Sequence, residues 1–321
     1  MIEDNRTVTV CVFTYNSSAY VEETLESIKK QSWSDLILMI SDDCSTDNTI
    51  SVCKKWLGGN RDRFVDTKLL TIDHNTGTSA NSNRAWDACT TEYFKGIAGD
   101  DILLPNCIED NMAYVTEHPD AIFVFSRAKA FGVSPDRCRS YEQKAFDYTF
   151  FQMTPEQQYD RIKYGSCLPA ATPFCNINKI REMGLRHDER IPFLEDRPKW
   201  INVIRKGIKF HFFDKETVLY RLHEKSLSNP SNLSPKFYVS RRLTFFYYVF
   251  DDKYIKDKEG AINEVVNFEL EQYRKCIECI QERDKYYRLS LYRLLNIPKA
   301  LFTRIRKKYF FKNALETKSI S

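Results

Sequence analysis

The sequence lacks the features that mark several protein classes. It has only 10 glycines and 11 prolines among 321 residues, and no repeat or low-complexity segment, which argues against collagen-like and disordered chains. No apolar run approaches the roughly 18 residues that a membrane span needs, and the polar residues 1–6 differ from a signal peptide. The ten cysteines form no dense framework, as in reduced proteins. We therefore expect a globular, cytoplasmic protein.

Short phosphate-binding and metal-binding motifs are also missing. Neither GxGxxG nor GxxxxGKS occurs, so dinucleotide and P-loop chemistry are not indicated. The close pair Cys276 and Cys279 has metal-site spacing, but no second pair accompanies it. Its helical surroundings favour two small apolar residues on one helix face.

Charge is distributed unevenly along the chain. The net charge is +4, yet residues 283–321 carry 11 Lys or Arg against two acids, a local +9 that leaves −5 for residues 1–282. Cations in this tail alternate with Leu, Ile, Phe and Tyr at helical spacing, which favours an interfacial helix on anionic lipid over a nucleic-acid contact. A solvated helix packed on the body through its leucines is the alternative.

The pattern of residues 7–126 predicts an α/β fold. Apolar β-branched runs alternate with amphipathic stretches, and continuous apolar strands are typical of a mostly parallel, doubly wound sheet with helices on both faces. The predicted helices are Tyr20–Gln31, Thr46–Trp56, Ser79–Cys89 and Asn106–His118.

Beyond this repeat the pattern is less regular. Short helices are predicted at 155–164 and 176–183, followed by a helix at Glu195–Lys206 and two strands, KFHFFD and TVLYRLH. After Pro235 the pattern turns helical to about residue 311. We predict a catalytic domain at 1–232 and a helical C-terminal region at 233–321.

Polar and acidic residues follow the predicted strands. In a parallel sheet the ligand crevice lies beyond the carboxyl ends of the strands. The residues that follow the first four strands begin with Thr14-Tyr15-Asn16, Asp42-Asp43, His74-Asn75 and Gly99-Asp100-Asp101. We therefore expect these groups to converge on one edge.

The adjacent carboxylates Asp100 and Asp101 suggest a cation site. Their apolar flanks limit solvation, and a hard divalent cation such as Mg²⁺ or Mn²⁺ would relieve the repulsion and bridge a diphosphate. The alternative is that Asp101 only begins a turn before a helix.

Asp43 suggests a nucleotide contact. An acidic residue just past a strand accepts from a base N–H or a ribose hydroxyl in other nucleotide-binding sheets. The neighbouring residues 45–47 are more typical of helix caps.

Two further segments carry candidate groups. Glu195 and Asp196 open a predicted helix, where the helix dipole favours carboxylates, but one of them would also serve as a general base towards an attacking hydroxyl. His223 follows a strand and is either a surface histidine or a ligand, and imidazole beside carboxylate suits Mn²⁺ somewhat better than Mg²⁺.

Taken together, these segments resemble the family 2 glycosyltransferases of the GT-A fold, across roughly residues 7–228. The three blocks that carry the resemblance are VTVCVFTYNSSAYVEETLESIKKQSW, LILMISDDCSTDNT and DHNTGTSANSNRAWDACTTEYFKGIAGDDILLPN. They occur in the order and spacing of that family. The YRLH segment at 220–223 is also similar.

The resemblance implies roles for individual residues. Tyr15 would stack on the base, Asp43 would bind the base or ribose, and Asn75 would line the base pocket, with Thr14 beside them. Asp100 would lie towards the ribose.

The remaining implied roles concern the reaction. Asp101 would ligate the metal, and His223 would reach the metal or diphosphate. Glu195 would hold donor-sugar hydroxyls, and Asp196 would be the general base.

The sequence departs from the family pattern at two positions. The family often has DxDD where this chain has Ala98-Gly99-Asp100-Asp101, so metal ligation rests more heavily on Asp101. The family often places Arg where Ser82 stands; Arg84 is nearby, and the arginine on the phosphate side remains unassigned.

The resemblance implies an inverting, metal-dependent transfer of a sugar from a nucleotide diphosphate, with UDP as the expected nucleotide. The basic tail suggests a lipid-linked glycan acceptor at the inner face of the cytoplasmic membrane, as in surface polysaccharide synthesis. A nucleotidyltransferase with the same metal site and a non-enzymatic membrane or nucleic-acid binding protein are the alternatives.

Overall fold

The strands and helices of the chain alternate, as predicted for residues 7–126. The computed structural model describes residues 7–163, 165–191, 194–223 and 235–249. The strands are β1 Val8–Thr14, β2 Leu36–Asp42, β3 Asp66–Leu70, β4 Tyr93–Ala98, β5 Ile102–Leu103, β6 Phe123–Phe131, β7 Phe174–Asn176 and β8 Phe210–Arg221. The helices are α1 Val21–Lys29, α2 Thr49–Asn60, α3 Thr78–Ala88, α4 Cys107–Glu117, α5 Pro135–Ala145, α6 Pro155–Ile162, α7 Ile177–Glu182, α8 Asp196–Arg205 and α9 Pro235–Tyr248.

The eight strands of the described residues form one sheet in the order β3-β2-β1-β4-β7-β6-β8-β5. Strands β3, β2, β1 and β4 are parallel, and β6 is parallel to β8. The short strand β7 runs antiparallel to β4 and β6, and β5 runs antiparallel to β8. The predicted parallel sheet is thus present in the first half of the chain, and the second half makes it mixed.

The core follows from the apolar strands. Every residue of β2 is buried, as are six of the seven residues of β1, because helices cover the sheet. Helix α1 packs on β1, β5 and α2, while α3 packs on β1 and β2. A second, aromatic cluster joins β6, β8, α8 and the short 3-10 helix Tyr148–Gln152. It includes Phe123, Phe125, Phe150, Trp200 and Phe210.

Sequence periodicity located the long helices to within a few residues. Strand β5, strand β7 and helix α5 were not predicted, because two or three residues are too few to show a period and α5 follows an irregular segment. The two strands predicted near 209–223 are one strand, β8, whose pairing with β6 shifts register around Arg127.

The predicted domain boundary near residue 232 stays a prediction. The described residues all belong to one compact unit, in which α9 packs on α8. Cys276, Cys279 and the basic tail lie outside the described residues. Within the described ranges no helix combines the length and apolar character needed to cross a membrane.

Candidate active site

The carboxyl ends of β1, β2 and β4 meet at one edge of the sheet. The backbone N–H of Asp43 donates to the carbonyl of Thr14 at 3.0 Å, and that of Gly99 donates to the carbonyl of Phe13 at 2.9 Å. A Cβ on Gly99 would lie 3.0 Å from Thr14 Cγ2. The loops that were expected to converge are therefore in contact.

The loops after β1 and β2 are locked together by side chains. Asn16 has a φ of 54°, a left-handed conformation that asparagine tolerates better than most residues. Its Oδ1 accepts from the backbone N–H of Thr46 at 2.8 Å and of Asp47 at 3.3 Å. Asp42 accepts from Thr14 Oγ1 at 2.8 Å and from the N–H of Ser45 at 2.8 Å. Thr14 is thus buried beneath the edge as a partner of Asp42.

Asp43 holds the loop that opens α3. It is 3% exposed, and its Oδ2 accepts from the N–H of Gly77 at 2.7 Å. Its Oδ1 accepts from Thr76 Oγ1 at 2.5 Å and from Arg84 Nη2 at 3.3 Å. The predicted contact of Asp43 with a base or ribose stays a prediction. A nucleotide bound there would share a carboxylate that already accepts several hydrogen bonds.

Tyr15 and Asn75 flank this carboxylate at the surface. Tyr15 is 50% exposed, which leaves its ring open to a planar ligand. Asn75 is exposed, and its Nδ2 donates to the carbonyl of Asp43 at 3.2 Å. The predicted roles of both residues at the base stay predictions.

Asp100 lies against His223, which comes two residues after the end of β8. Asp100 Oδ2 and His223 Nε2 are 3.0 Å apart, and their side chains are 29% and 17% exposed. The ring of Tyr20 lies 4.9 Å from that of His223. A carboxylate oxygen and an imidazole nitrogen therefore meet at the edge of the sheet.

Asp101 faces inward. It is 2% exposed, its Oδ1 accepts from the N–H of Arg221 at 2.8 Å, and its own carbonyl accepts from Thr24 Oγ1 at 2.8 Å. Burial, together with the charge of Asp100, raises the pKa of Asp101 well above its usual value. Its predicted role as the metal ligand stays a prediction, whereas Asp100 is the carboxylate that meets the histidine.

Arg221 clamps the turn between β4 and β5, a role that sequence reasoning missed. Its Nε donates to the carbonyl of Asp100 at 2.7 Å, and its Nη2 to Glu23 Oε2 at 2.5 Å. Its guanidinium lies 4.7 Å from the ring centre of Tyr20 and 4.4 Å from that of Phe131. The Tyr-Arg-x-His pattern was the only signal for it.

Glu195 and Asp196 lie at the start of α8, and Glu195 contacts α3. Thr78 Oγ1 donates to Glu195 Oε2 at 2.8 Å, and Thr78 follows the loop that Asp43 holds. Burial and the neighbouring charge of Asp196 raise the pKa of Glu195. Asp196 is half-buried, and its Oδ2 accepts from Ser166 Oγ at 3.2 Å. The acidic pair therefore adjoins the predicted nucleotide site.

The loop that leads to this pair is also held by α3. The amide of Asn83 donates to the carbonyl of His187 at 3.0 Å and accepts its N–H at 3.0 Å. Ser79 Oγ donates to the carbonyl of Ile191 at 2.9 Å, and His187 Nδ1 lies 3.1 Å from the carbonyl of Glu195. These residues were not predicted as site residues, because the partners are far apart in sequence.

The donor set at this edge suits a cation that also binds a ligand. Nowhere in the described ranges do three or more His, Cys, Asp or Glu side chains group so as to hold a metal ion. Asp100 and His223 supply two groups of the right chemistry, and diphosphate oxygens and water usually complete the coordination of Mg²⁺ at such sites.

A comparison with protein families matches residues 9–175, more than half of the chain, to the model described as Glycosyl transferase family 2. The chain is 25% identical over 232 residues to the putative glycosyltransferase EpsE of Bacillus subtilis, covering 68% of this chain and 73% of that protein. It is also 25% identical over 226 residues to the UDP-Glc:alpha-D-GlcNAc-diphosphoundecaprenol beta-1,3-glucosyltransferase WfaP of Escherichia coli, covering 69% and 79%.

Solved structures share the fold. TarS of S. aureus in complex with UDP superposes with a TM-score of 0.57 at 20% identity, covering 77% of this chain and 66% of that one. The mannosyltransferase PcManGT of Pyrobaculum calidifontis, in complex with GDP-Man and Mn²⁺, gives 0.56 at 14% identity, covering 98% and 86%. The predicted GT-A type α/β fold is confirmed.

Proposed function

Because the chain belongs to glycosyl transferase family 2, we propose that it transfers a sugar from a UDP-sugar to a hydroxyl of a glycan or lipid-linked acceptor, with inversion at the anomeric carbon. Membership of this family favours glycosyl transfer over the nucleotidyl transfer given above as an alternative. The observation that carries the proposal is the contact between Thr78 and Glu195, at 2.8 Å. This contact joins the acidic pair at the start of α8 to the first residue of α3. Helix α3 directly follows the loop that Asp43 holds.

Asp196 is the general base in this proposal. As the acceptor oxygen bonds to the anomeric carbon, the bond from that carbon to the diphosphate breaks, and Asp196 takes the hydroxyl proton. Its half-buried carboxylate accepts only a 3.2 Å bond from Ser166 and the N–H of Arg197 within the described residues. Glu195, half-buried and bonded to Thr78, holds donor-sugar hydroxyls.

The nucleotide binds along the edge formed by β1, β2 and β4. Tyr15 stacks on the base, Asn75 lines its pocket, and Asp43 contributes through the loop at Thr76 and Gly77. The exposed ring of Tyr15 and the complex of the TarS neighbour with UDP support this placement.

We assign the divalent ion, Mn²⁺ or Mg²⁺, to Asp100 and His223 rather than mainly to Asp101. The 3.0 Å contact and partial exposure of this pair, against the buried carboxylate of Asp101, support the change. When bound, the ion neutralises charge on the departing diphosphate. The Mn²⁺ complex of PcManGT supports this choice of metal.

The acceptor is expected to be a lipid-linked intermediate of surface polysaccharide at the inner face of the cytoplasmic membrane. The diphosphoundecaprenol acceptor in the name of WfaP and the basic residues 283–321 support this, with the tail as the contact to anionic lipid. Those residues lie outside the described ranges.

The test is the Asp196→Asn variant of the full chain, assayed with a panel of nucleotide sugars in Mn²⁺ or in EDTA. We expect transfer to fall by about 10²–10⁴-fold, the usual contribution of a general base, while the Kd for UDP changes less than about twofold. EDTA should stop turnover of the unmodified protein.

The matched control is Ser166→Ala, which removes a neutral partner of Asp196 and should change the rate by less than about tenfold. Equal losses of transfer and UDP affinity in Asp196→Asn would contradict the base assignment. Full turnover in EDTA would remove the metal from the proposal.

A further inference from the structure

The loop segment at 187–191 lies between two helices that are distant in sequence. On one side, Ser79 and Asn83 of α3 bond to its backbone, as described above. On the other side, the hydroxyl of Tyr248 in α9 donates to Asp188 Oδ2 at 2.7 Å. Glu195 and Asp196 come shortly after this segment, so contacts from both helices affect where the acidic pair lies.

Asp188 organises the loop from within. Its Oδ1 accepts from the backbone N–H of Arg190 at 3.0 Å and from Arg190 Nε at 2.8 Å, while its own carbonyl accepts from the N–H of Ile191 at 3.0 Å. The Arg190 guanidinium lies 4.3 Å from the ring centre of Tyr247. The Arg190 and Tyr248 bonds hold the pKa of Asp188 below its usual value.

Helix α9 also holds the residue after the acidic pair. Arg197 is 1% exposed, and its Nη2 donates to the carbonyl of Arg241 at 3.0 Å. Burying a guanidinium costs free energy unless it is well paired. Its Nε has no hydrogen-bond partner among the described residues. The bond from Arg197 to α9 is therefore formed although the free-energy cost of burying this guanidinium is only partly compensated.

The end of α9 is itself firmly seated. Tyr248 is 7% exposed, its carbonyl accepts from Arg205 Nη2 at 2.5 Å, and Tyr159 donates to the carbonyl of Val249 at 3.3 Å. Because α8 and α6 provide these contacts, the Tyr248 hydroxyl approaches Asp188 from a packed helix and not from a free chain end.

We propose that α9 fixes the position of Asp196, with Tyr248 as the positioning residue that acts through Asp188. The inference rests on the proposed role of Asp196 as base. The hydroxyl of Tyr248 bonds to Asp188 on the N-terminal side of the acidic pair, and the guanidinium of Arg197 bonds to α9 on its C-terminal side. These two bonds restrict both flanks of the pair. Small displacements of a reacting group reduce rates strongly.

The test is Tyr248→Phe in the full chain, with rates normalised to the folded fraction measured by circular dichroism. We expect kcat to fall about tenfold, with KM for the donor and Kd for UDP unchanged within about twofold. Hydrolysis of the donor by water should rise relative to transfer, because a misplaced base discriminates less between water and acceptor. A merely structural role would not change that ratio.

Tyr247→Phe is the matched control. Tyr247 is the exposed neighbour on the same helix, and the substitution keeps the ring that contacts Arg190, so its kcat should equal that of the unmodified protein. An unchanged kcat in Tyr248→Phe, or a parallel loss of kcat and UDP affinity, would overturn the proposal.

A double-variant cycle with Asp188→Asn tests the route. If Tyr248 acts through Asp188, the double variant should be no slower than Asp188→Asn alone; effects that multiply would refute the route.

Amide hydrogen exchange separates this inference from the proposed function. Amides at 187–191 and 194–197 should exchange about tenfold faster in Tyr248→Phe, with those of α3 unchanged. This result is readable even if no donor is turned over, in which case the proposed function fails alone. Unchanged exchange across the loop would reject the positioning role.

Discussion

The first half of the described chain and the second are stabilised differently. From β1 to β5 the edge of the sheet at the candidate active site is held by short polar side chains bonded to nearby backbone: Asn16 to residues 46 and 47, Asp42 to Ser45, and Asp43 to residues 76 and 77. From β6 onward, aromatic rings form the interior, with Trp200 5.1 Å from Phe125 and 5.7 Å from Phe210.

We therefore expect the polar loops to determine ligand binding and the aromatic cluster to determine stability. Buried aromatic area contributes free energy of unfolding without specifying a ligand, whereas bonds from side chains to loop backbone fix the position of groups at an edge. Substitutions in the aromatic cluster should therefore unfold the protein before they alter its site, and substitutions in the polar loops should do the reverse.

The largest effect is expected from Trp200→Ala, which should lower the free energy of unfolding by about 3–5 kcal/mol because it leaves a large cavity. Trp200 is fully buried. Urea unfolding followed by circular dichroism measures the loss, and the Kd for UDP of the folded protein should stay within about twofold.

Trp200→Phe is its control. The indole Nε1–H has no hydrogen-bond partner among the described residues, so removing it should cost less than about 1.5 kcal/mol. A weaker UDP affinity in the folded Trp200→Ala protein would break the proposed separation.

Compared with Trp200→Ala, Asn16→Ala should lower the free energy of unfolding less and weaken UDP binding more. It removes the oxygen that accepts from residues 46 and 47 and places alanine at a φ of 54°, at a cost of about 1–2 kcal/mol. Because the two loops should then move apart, we expect UDP affinity to fall about tenfold by calorimetry.

Asn16→Asp retains an acceptor and a residue that tolerates this φ, so it should bind UDP within about threefold of the unmodified protein. If Asn16→Ala binds equally well, the loop lock has no role in nucleotide binding.

The smallest effect concerns pH. Burial, and then the charge of Lys199, hold the pKa of His187 well below its usual value, so His187 stays neutral in the folded protein while the unfolded chain takes a proton below about pH 6.5. The unfolded state then binds more protons, and stability falls as pH drops, by up to about 1.4 kcal/mol per pH unit. Above about pH 6.5 His187 is neutral in both the folded and the unfolded state, so this loss of stability is absent.

Urea unfolding between pH 7.5 and 5 should therefore give a flatter pH dependence for His187→Gln than for the unmodified protein. His74→Gln serves as control, because that side chain is 72% exposed, and its slope should match the unmodified protein. Equal slopes for His187→Gln and the unmodified protein would contradict the assignment.

Local pattern predicted the first half well. The helices at 21–29 and 78–88 and the acidic loops after β2 and β4 are encoded by neighbouring residues, since periodicity and strand ends are properties of contiguous sequence. The same reasoning missed β7, whose three residues pair between β4 and β6, and it did not reveal that Asp101 is buried while Asp100 contacts His223.

The amino-acid sequence by itself determined the α/β alternation, the family and the carboxylates available at the strand ends, because each depends on residues close together in the chain. Only the tertiary structure decided which carboxylate faces His223, that Thr78 reaches Glu195, and that Tyr248 holds Asp188. Those contacts join segments far apart in sequence, and their geometry depends on how packed helices and strands orient side chains, which no local pattern records.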